Sequence, residues 1–207
     1  MKKLLLLIVL FISVGNGIWA QFPKAIFPGD YLDPSILRDG KDYYMTHSPF
    51  CYAPGFLIWH STDLMHWEPV CRALPEYEGS AMAPDLLKYQ GRYYIYYPTS
   101  TGENYVVYAD DIRGPWSKPV KLDVKGIDPG HVVGEDGKRY LFTNNGWITP
   151  LSDDGLKVTG KSRKVYDGWK YPANWVTEGK DMYLESPKLL YKDGYYYMMS
   201  AEGGTAG

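Results

Sequence analysis

Beyond its first twenty or so residues the chain is a succession of short aromatic and β-branched runs, set apart by polar positions and closed off by glycine turns. Such runs suit strands, whose side chains alternate between two faces. No long apolar stripe with the 3.6-residue period of an amphipathic helix follows, so few helices are expected. The pattern also repeats. Residues 34–44, 84–94, 129–140 and 187–197 each read as strand, glycine turn, strand. Asp39-Gly40, Asp136-Gly137 and Asp193-Gly194 supply dipeptides suited to positive φ at those turns. The opening prolines, Pro34, Pro84, Pro129 and Pro187, stand 50, 45 and 58 residues apart. A second half-unit recurs as well: residues 56–60 run into 61–67, residues 105–108 into 109–116, and a weaker copy spans 147–156. These supply a third strand, a turn and the start of a fourth. Four short strands repeated at this period are the mark of propeller blades. The expected fold is all-β: three whole blades and the first hairpin of a fourth. Propellers close on themselves, so the chain is expected to be an incomplete piece of one.

Composition narrows the setting. The chain holds 20 Tyr, 7 Trp and 22 Gly among 207 residues, with a net charge of −2. That balance gives no reason to expect nucleic acid or an anionic membrane as partner. Met1-Lys2-Lys3, an apolar run and Ala20-Gln21 have the layout of a secretory signal peptide over residues 1–21. The strictly apolar stretch, residues 4–12, is too short to span a bilayer, so no membrane span is expected after cleavage. Residues 22–207 then form one domain, secreted or periplasmic. Cys51 and Cys71 leave two readings open, a disulfide or two separate buried thiols.

The candidate chemistry is acidic. Innermost strands of a propeller line its central channel, so equivalent positions of different blades converge at one mouth. Asp33 and Asp128 each stand just before a repeat proline, and Glu185 stands two residues before Pro187. Taken alone, Asp before Pro is an ordinary turn residue. Three carboxylates at near-equivalent positions instead suggest a pocket in which like charges and burial raise proton affinity. One acid can then stay protonated while another is ionised. Of the histidines, His47, His60, His66 and His131, none has metal-ligand spacing. His131 follows the Asp128 motif and is expected to face the channel; His60 reads as structural.

Asp33-Pro34-Ser35-Ile36, Ala83-Pro84-Asp85-Leu86, Ile127-Asp128-Pro129, Glu185-Ser186-Pro187 and Ala201-Glu202-Gly203-Gly204-Thr205 together resemble glycoside hydrolase family 43. The resemblance runs from about Phe27 to the last residue. It implies a five-bladed β-propeller, of which about three and a half blades are present here. It also implies inverting hydrolysis of xylosides, arabinofuranosides or arabinans, as oligo- or polysaccharides. Carried over, Asp33 is the general base, Glu185 the general acid, and Asp128 the carboxylate that orients the acid and tunes its pKa. Phe50 matches a wall of the sugar pocket in the family, with plain core packing the other reading left open. Met82 stands where the family commonly has Trp, and Asp85 either bonds a sugar hydroxyl or braces its loop. Ser186 replaces a frequent Gly, a change of little cost unless φ must be positive. No cofactor is required; some members hold a central ion such as calcium, with ligands from the fifth blade. Trp169, Tyr171 and Trp175 precede Glu185 as either the pocket's outer lip or a cover for a blade edge. The alternatives are a lectin-like sugar-binding propeller without catalysis, or an inactive fragment.

Overall fold

The computed structural model describes residues 25–77, 79–169 and 184–202. Within them each repeat is an antiparallel meander. The first blade is β1 (Ser35–Asp39), β2 (Asp42–Thr46), β3 (Gly55–Ser61) and β4 (Glu68–Leu74), paired in that order. The second is β5 (Asp85–Tyr89), β6 (Arg92–Pro98), β7 (Asn104–Ala109) and β8 (Val120–Leu122). The third is β9 (Gly130–Val133), β10 (Arg139–Thr143), β11 (Trp147–Pro150) and β12 (Arg163–Lys164). A hairpin of β13 (Leu184–Lys192) and β14 (Tyr195–Glu202) follows. Helix among the described residues is confined to one 3₁₀ turn, Asn144–Gly146. Inner strands pack on inner strands: β1 on β5, β5 on β9, β9 on β13.

The turns differ in detail from expectation. Asp193-Gly194 has φ of 53° and 81°, and Gln90-Gly91 has 48° and 84°. Two positive φ values in a two-residue loop make a type I′ turn, whose twist matches the flanking strands. Asp39, by contrast, is the last residue of β1 and pairs with Asp42. Asp136-Gly137 lies in a longer loop closed by Gly134 N–H to Lys138 O and Gly137 N–H to Gly134 O.

The core is two layers that share β6. Tyr93, Ile95 and Tyr97 face the first blade and pack with Phe56, Ile58 and Leu74. Tyr94 and Tyr96 face the third and pack with Leu141 and Leu151. A strand buried on both faces has no polar side, which is why residues 93–97 read as an unbroken run of tyrosine and isoleucine with no charged position. Between the second and third blades lies Arg139, 1% exposed. Its guanidinium sits 4.6 Å from the Tyr89 ring and 4.4 Å from the Tyr94 ring. It donates to His131 Nε2, the Tyr96 hydroxyl and the Asp153 carbonyl. Every face of this buried cation is thereby compensated.

The cysteines are both free. Cys51 is exposed in a turn, while Cys71 is half-buried in β4 with its thiol donating to the Ile112 carbonyl. Of the two readings, separate thiols is right, but Cys51 is not buried. The signal-peptide residues lie outside the described ones, and no helix among the described residues is long and apolar enough to cross a membrane.

At Gly130 the first residue of β9 meets the fourth repeat so closely that a Cβ there would stand 1.9 Å from the Pro187 carbonyl oxygen. Gly130→Ala is therefore expected to push β13 away from β9 and to cost about 1–3 kcal/mol. Urea unfolding of the two proteins checks this, and equal midpoints would rule the close approach out.

Candidate active site

One backbone device recurs at every repeat proline. Asp33, Ala83, Asp128 and Ser186 immediately precede Pro34, Pro84, Pro129 and Pro187, and have φ of 52°, 41°, 58° and 50°. Residues before proline ordinarily adopt extended conformations, and a left-handed one costs a non-glycine residue about 1–2 kcal/mol. Four such residues at equivalent places point to a shared requirement, a sharp turn of the chain into each inner strand. The condition set on Ser186 is met: φ is positive there, so serine in place of glycine carries a strain.

The same turns hand hydrogen bonds from blade to blade. The Ser48 hydroxyl, after β2, donates to Asp33 Oδ2 and accepts from Ala83 N–H at 2.6 Å. Ser35 Oγ accepts from Leu86 N–H at 2.9 Å. Asp85 Oδ2 accepts from His131 N–H at 2.8 Å, and Asp128 Oδ2 from Ser186 N–H at 3.2 Å. The loop that delivers Asp128 is itself held. Asn104 Nδ2 donates to the Val124 and Gly126 carbonyls, Thr143 Oγ1 to the Lys125 carbonyl, and Asn144 Oδ1 accepts from Ile127 N–H. Ser48, Asn104 and Asn144 were not singled out in the sequence, since isolated Ser and Asn carry no motif.

Asp33, Asp128 and Glu185 are brought within reach of one another's charge. Burial, and then the charge of Asp33, push the Asp128 carboxyl above its ordinary range, against the Ser186 N–H and Lys188, which pull it down. Burial, then Asp128, then Asp33, push the Glu185 carboxyl up. Glu185 accepts no hydrogen bond at its carboxyl among the residues described, so nothing there favours its ionised form over its acid form. Its backbone is anchored: its carbonyl accepts from Ser200 Oγ at 2.7 Å, and it pairs with Ala201.

The other candidates fall around this trio. Phe50 N–H donates to the Ala81 carbonyl and Met82 N–H to the Pro98 carbonyl, which sets both residues beside the Ser48–Ala83 contact. Phe50 also lines a 490 Å³ cavity over the first blade with Tyr31, His47 and Trp59. Asp85 is buried, with one oxygen on His131 N–H and the other on Lys188 Nζ, so bracing is the role its contacts fill. His131 does not face the channel. By that point β9 has begun, and its side chains face neighbouring blades. The ring stacks on Tyr96 and accepts from Arg139, and burial with that cation pushes its pKa down to about 4. His60 bonds Asp42, in keeping with a structural role. Glu202 accepts from the Tyr166 hydroxyl and Trp169 N–H, tying the end of β14 to the third blade. Tyr171 and Trp175 lie outside the described residues. No three His, Cys, Asp or Glu among the described residues are grouped to hold a metal ion, and His131 is already engaged.

Residues 22–207 match the family described as Glycosyl hydrolases family 43. The chain belongs to that family. Glycosyl hydrolase family 43 proteins of similar sequence include a xylosidase/arabinosidase of Butyrivibrio fibrisolvens, 34% identical over 87% of this chain and 38% of that protein. A non-reducing end alpha-L-arabinofuranosidase of Bacteroides ovatus is 32% identical over 97% of this chain and 40% of its own. The crystal structure of the family 43 protein BlXynB from Bacillus licheniformis matches with a TM-score of 0.75 at 34% identity, over 89% of this chain and 39% of that one. The chain thus spans 38–40% of the length of these curated relatives. Its fold is the family 43 five-bladed propeller, of which the described residues form three four-stranded blades and a further hairpin.

Glu185 and Asp128 are held above their ordinary proton affinities, so their ionised forms weaken the fold. The stability each contributes is full below the unfolded carboxyl pKa of about 4 and is lost as pH rises through the folded value. Glu185→Gln is therefore expected to melt a few degrees above the parent at pH 7 and level with it below pH 4. Calorimetry across that range checks the sign, and a variant no more stable at pH 7 would contradict the raised affinity.

Proposed function

We propose that the whole protein is an inverting glycoside hydrolase that releases xylose or arabinofuranose units from plant cell-wall polysaccharides or their oligosaccharides. The observation that carries this is the trio of carboxylates delivered by three different repeats, in which burial, Asp128 and Asp33 hold Glu185 toward its protonated form. Asp33, steadied by the Ser48 hydroxyl, is the general base that takes a proton from water as its oxygen attacks the anomeric carbon. Glu185 gives its proton to the leaving oxygen as the glycosidic bond breaks. Asp128, fixed on Ser186 N–H beside Glu185, supplies the charge that keeps the acid protonated until then. The two proton transfers are thus met by side chains, so the reaction as drawn calls for no cofactor. The names of the Butyrivibrio and Bacteroides relatives support the choice of pentosides. Phe50 and Met82, beside the base, are proposed to wall the sugar pocket. Residues 1–21 are proposed to direct export, which would place the enzyme where plant polymers are met. A lectin would have no use for a base and an acid of opposed protonation.

In the full-length protein Glu185→Gln should slow release of poor leaving groups by about 10²–10⁴-fold and spare activated aryl glycosides. Asp33→Asn should damage both alike, because water must be activated whatever departs. Proton NMR of the first-formed sugar should show the inverted anomer. Retention of configuration, or equal losses on both substrates in Glu185→Gln, would sink the assignment.

A further inference from the structure

Three residues beyond Glu185, across an irregularity in the pairing of β13, Lys188 turns its side chain toward the inner ends of the preceding blades. Its ammonium donates to the Pro129 carbonyl at 3.0 Å, to the Pro84 carbonyl at 3.3 Å and to Asp85 Oδ1 at 2.9 Å. Pro84 and Pro129 are equivalent residues of the second and third repeats, so the propeller's internal symmetry presents two matching carbonyls to one cation. Asp85 sits at the head of β5 and adds the charge that balances it. Asp85 is the shielded partner, its side chain 12% exposed against 36% for Lys188.

This cation reaches the trio through Asp128. Pro129 is the residue after Asp128, and Lys188 shares its strand with Glu185. Asp128 faces Asp33 from ahead of β1, and Glu185, Lys188 and the Ser186 N–H from the fourth repeat. On the neighbouring strands, Asp85 is taken up by Lys188, and His131 is turned away to Arg139. Lys188 is therefore the cation that opposes the effects of burial and of Asp33 on Asp128.

We propose that Lys188 is a positioning residue of this active site: its ammonium pins the inner ends of the second, third and fourth repeats to one point and keeps Asp128 ionised, so that the trio's proton rests on Glu185. The role rests on the reading of Asp33, Asp128 and Glu185 as base, modulator and acid. A lysine that merely tied blades together would matter for stability and not for protonation, and the two can be separated.

Lys188→Gln removes the charge and keeps a donor for the carbonyls; Lys188→Arg keeps the charge. In the full-length protein, two quantities are read for each variant. One is the pH profile of kcat/KM on an aryl xyloside. The other is the titration of Asp128 by ¹³C NMR with carboxyl-labelled aspartate, assigned with Asp128→Asn. For Lys188→Gln, both the acidic limb of the profile and the Asp128 titration should move to higher pH, with the loss of activity greatest on the acid side. Lys188→Arg should leave both close to the parent. A lower melting temperature in Lys188→Gln with the limb and the titration unmoved would overturn the proposal, as would an equal shift in Lys188→Arg. The NMR titration needs no turnover. An Asp128 shift in a protein whose parent cleaves no pentoside would therefore reject the hydrolase reading while upholding the electrostatic role of Lys188.

Discussion

The inner strands of this propeller begin with backbone N–H groups that no neighbouring strand pairs. A buried donor without a partner costs as much as a lost hydrogen bond, and the architecture depends on how this one problem is met. The second, third and fourth repeats meet it with side chains from the repeat before: Ser48 and Ser35 cap the second, Asp85 the third, Asp128 the fourth. The capping groups must sit at the channel end of their own blades, which is where the sharp pre-proline turns place them. Polar and acidic side chains are thus drawn to one mouth by the needs of the backbone. The acid trio is an elaboration of that same requirement. Asp128 shows it most directly, since one oxygen that caps the next repeat belongs to the carboxylate that raises the proton affinity of Glu185.

Much of this was legible in the chain. The proline period marked the blades, and the position before each proline marked Asp33 and Asp128, because a repeat turns the same corner each time. Glu185 was legible only with an offset of one, since in the fourth repeat Ser186 takes the left-handed position and the acid precedes it. The glycine dipeptides misled in part. Asp-Gly is a signal for positive φ, but which residue of the pair occupies the turn depends on strand length, so Asp39 closes a strand while Asp193 makes a turn. His131 misled more fully, because closeness in sequence to Asp128 says nothing about the face a strand residue presents. Arg139 gave no sign of burial, since its compensation comes from Tyr89, Tyr94 and Tyr96, more than forty residues away in the chain. Lys188 sits in a stretch that reads as an ordinary hairpin surface; only the convergence of three repeats gives it contacts.

Strain and charge are both concentrated at this mouth. Four left-handed residues and two carboxyls held above their ordinary proton affinity would each favour another arrangement. They are held in place by the layers behind them, where β6 and the Arg139 cluster are packed from both sides. The division of labour is spatial: stability is supplied by the flat faces of the blades, and the reactive groups stand at the ends of the inner strands, where the chain is least regular.

The double burial of β6 has a consequence for how this sequence can change over evolutionary time. Tyr93, Ile95 and Tyr97 answer to the first blade, while Tyr94 and Tyr96 answer to the third. Adjacent residues therefore belong to separate packing problems, and a replacement at one sets no condition on its neighbour. In an alignment of related chains, odd positions of this strand should covary with Phe56 and Ile58, and even positions with Leu141 and Leu151. One strand would carry two interleaved histories, each recording the drift of a different blade.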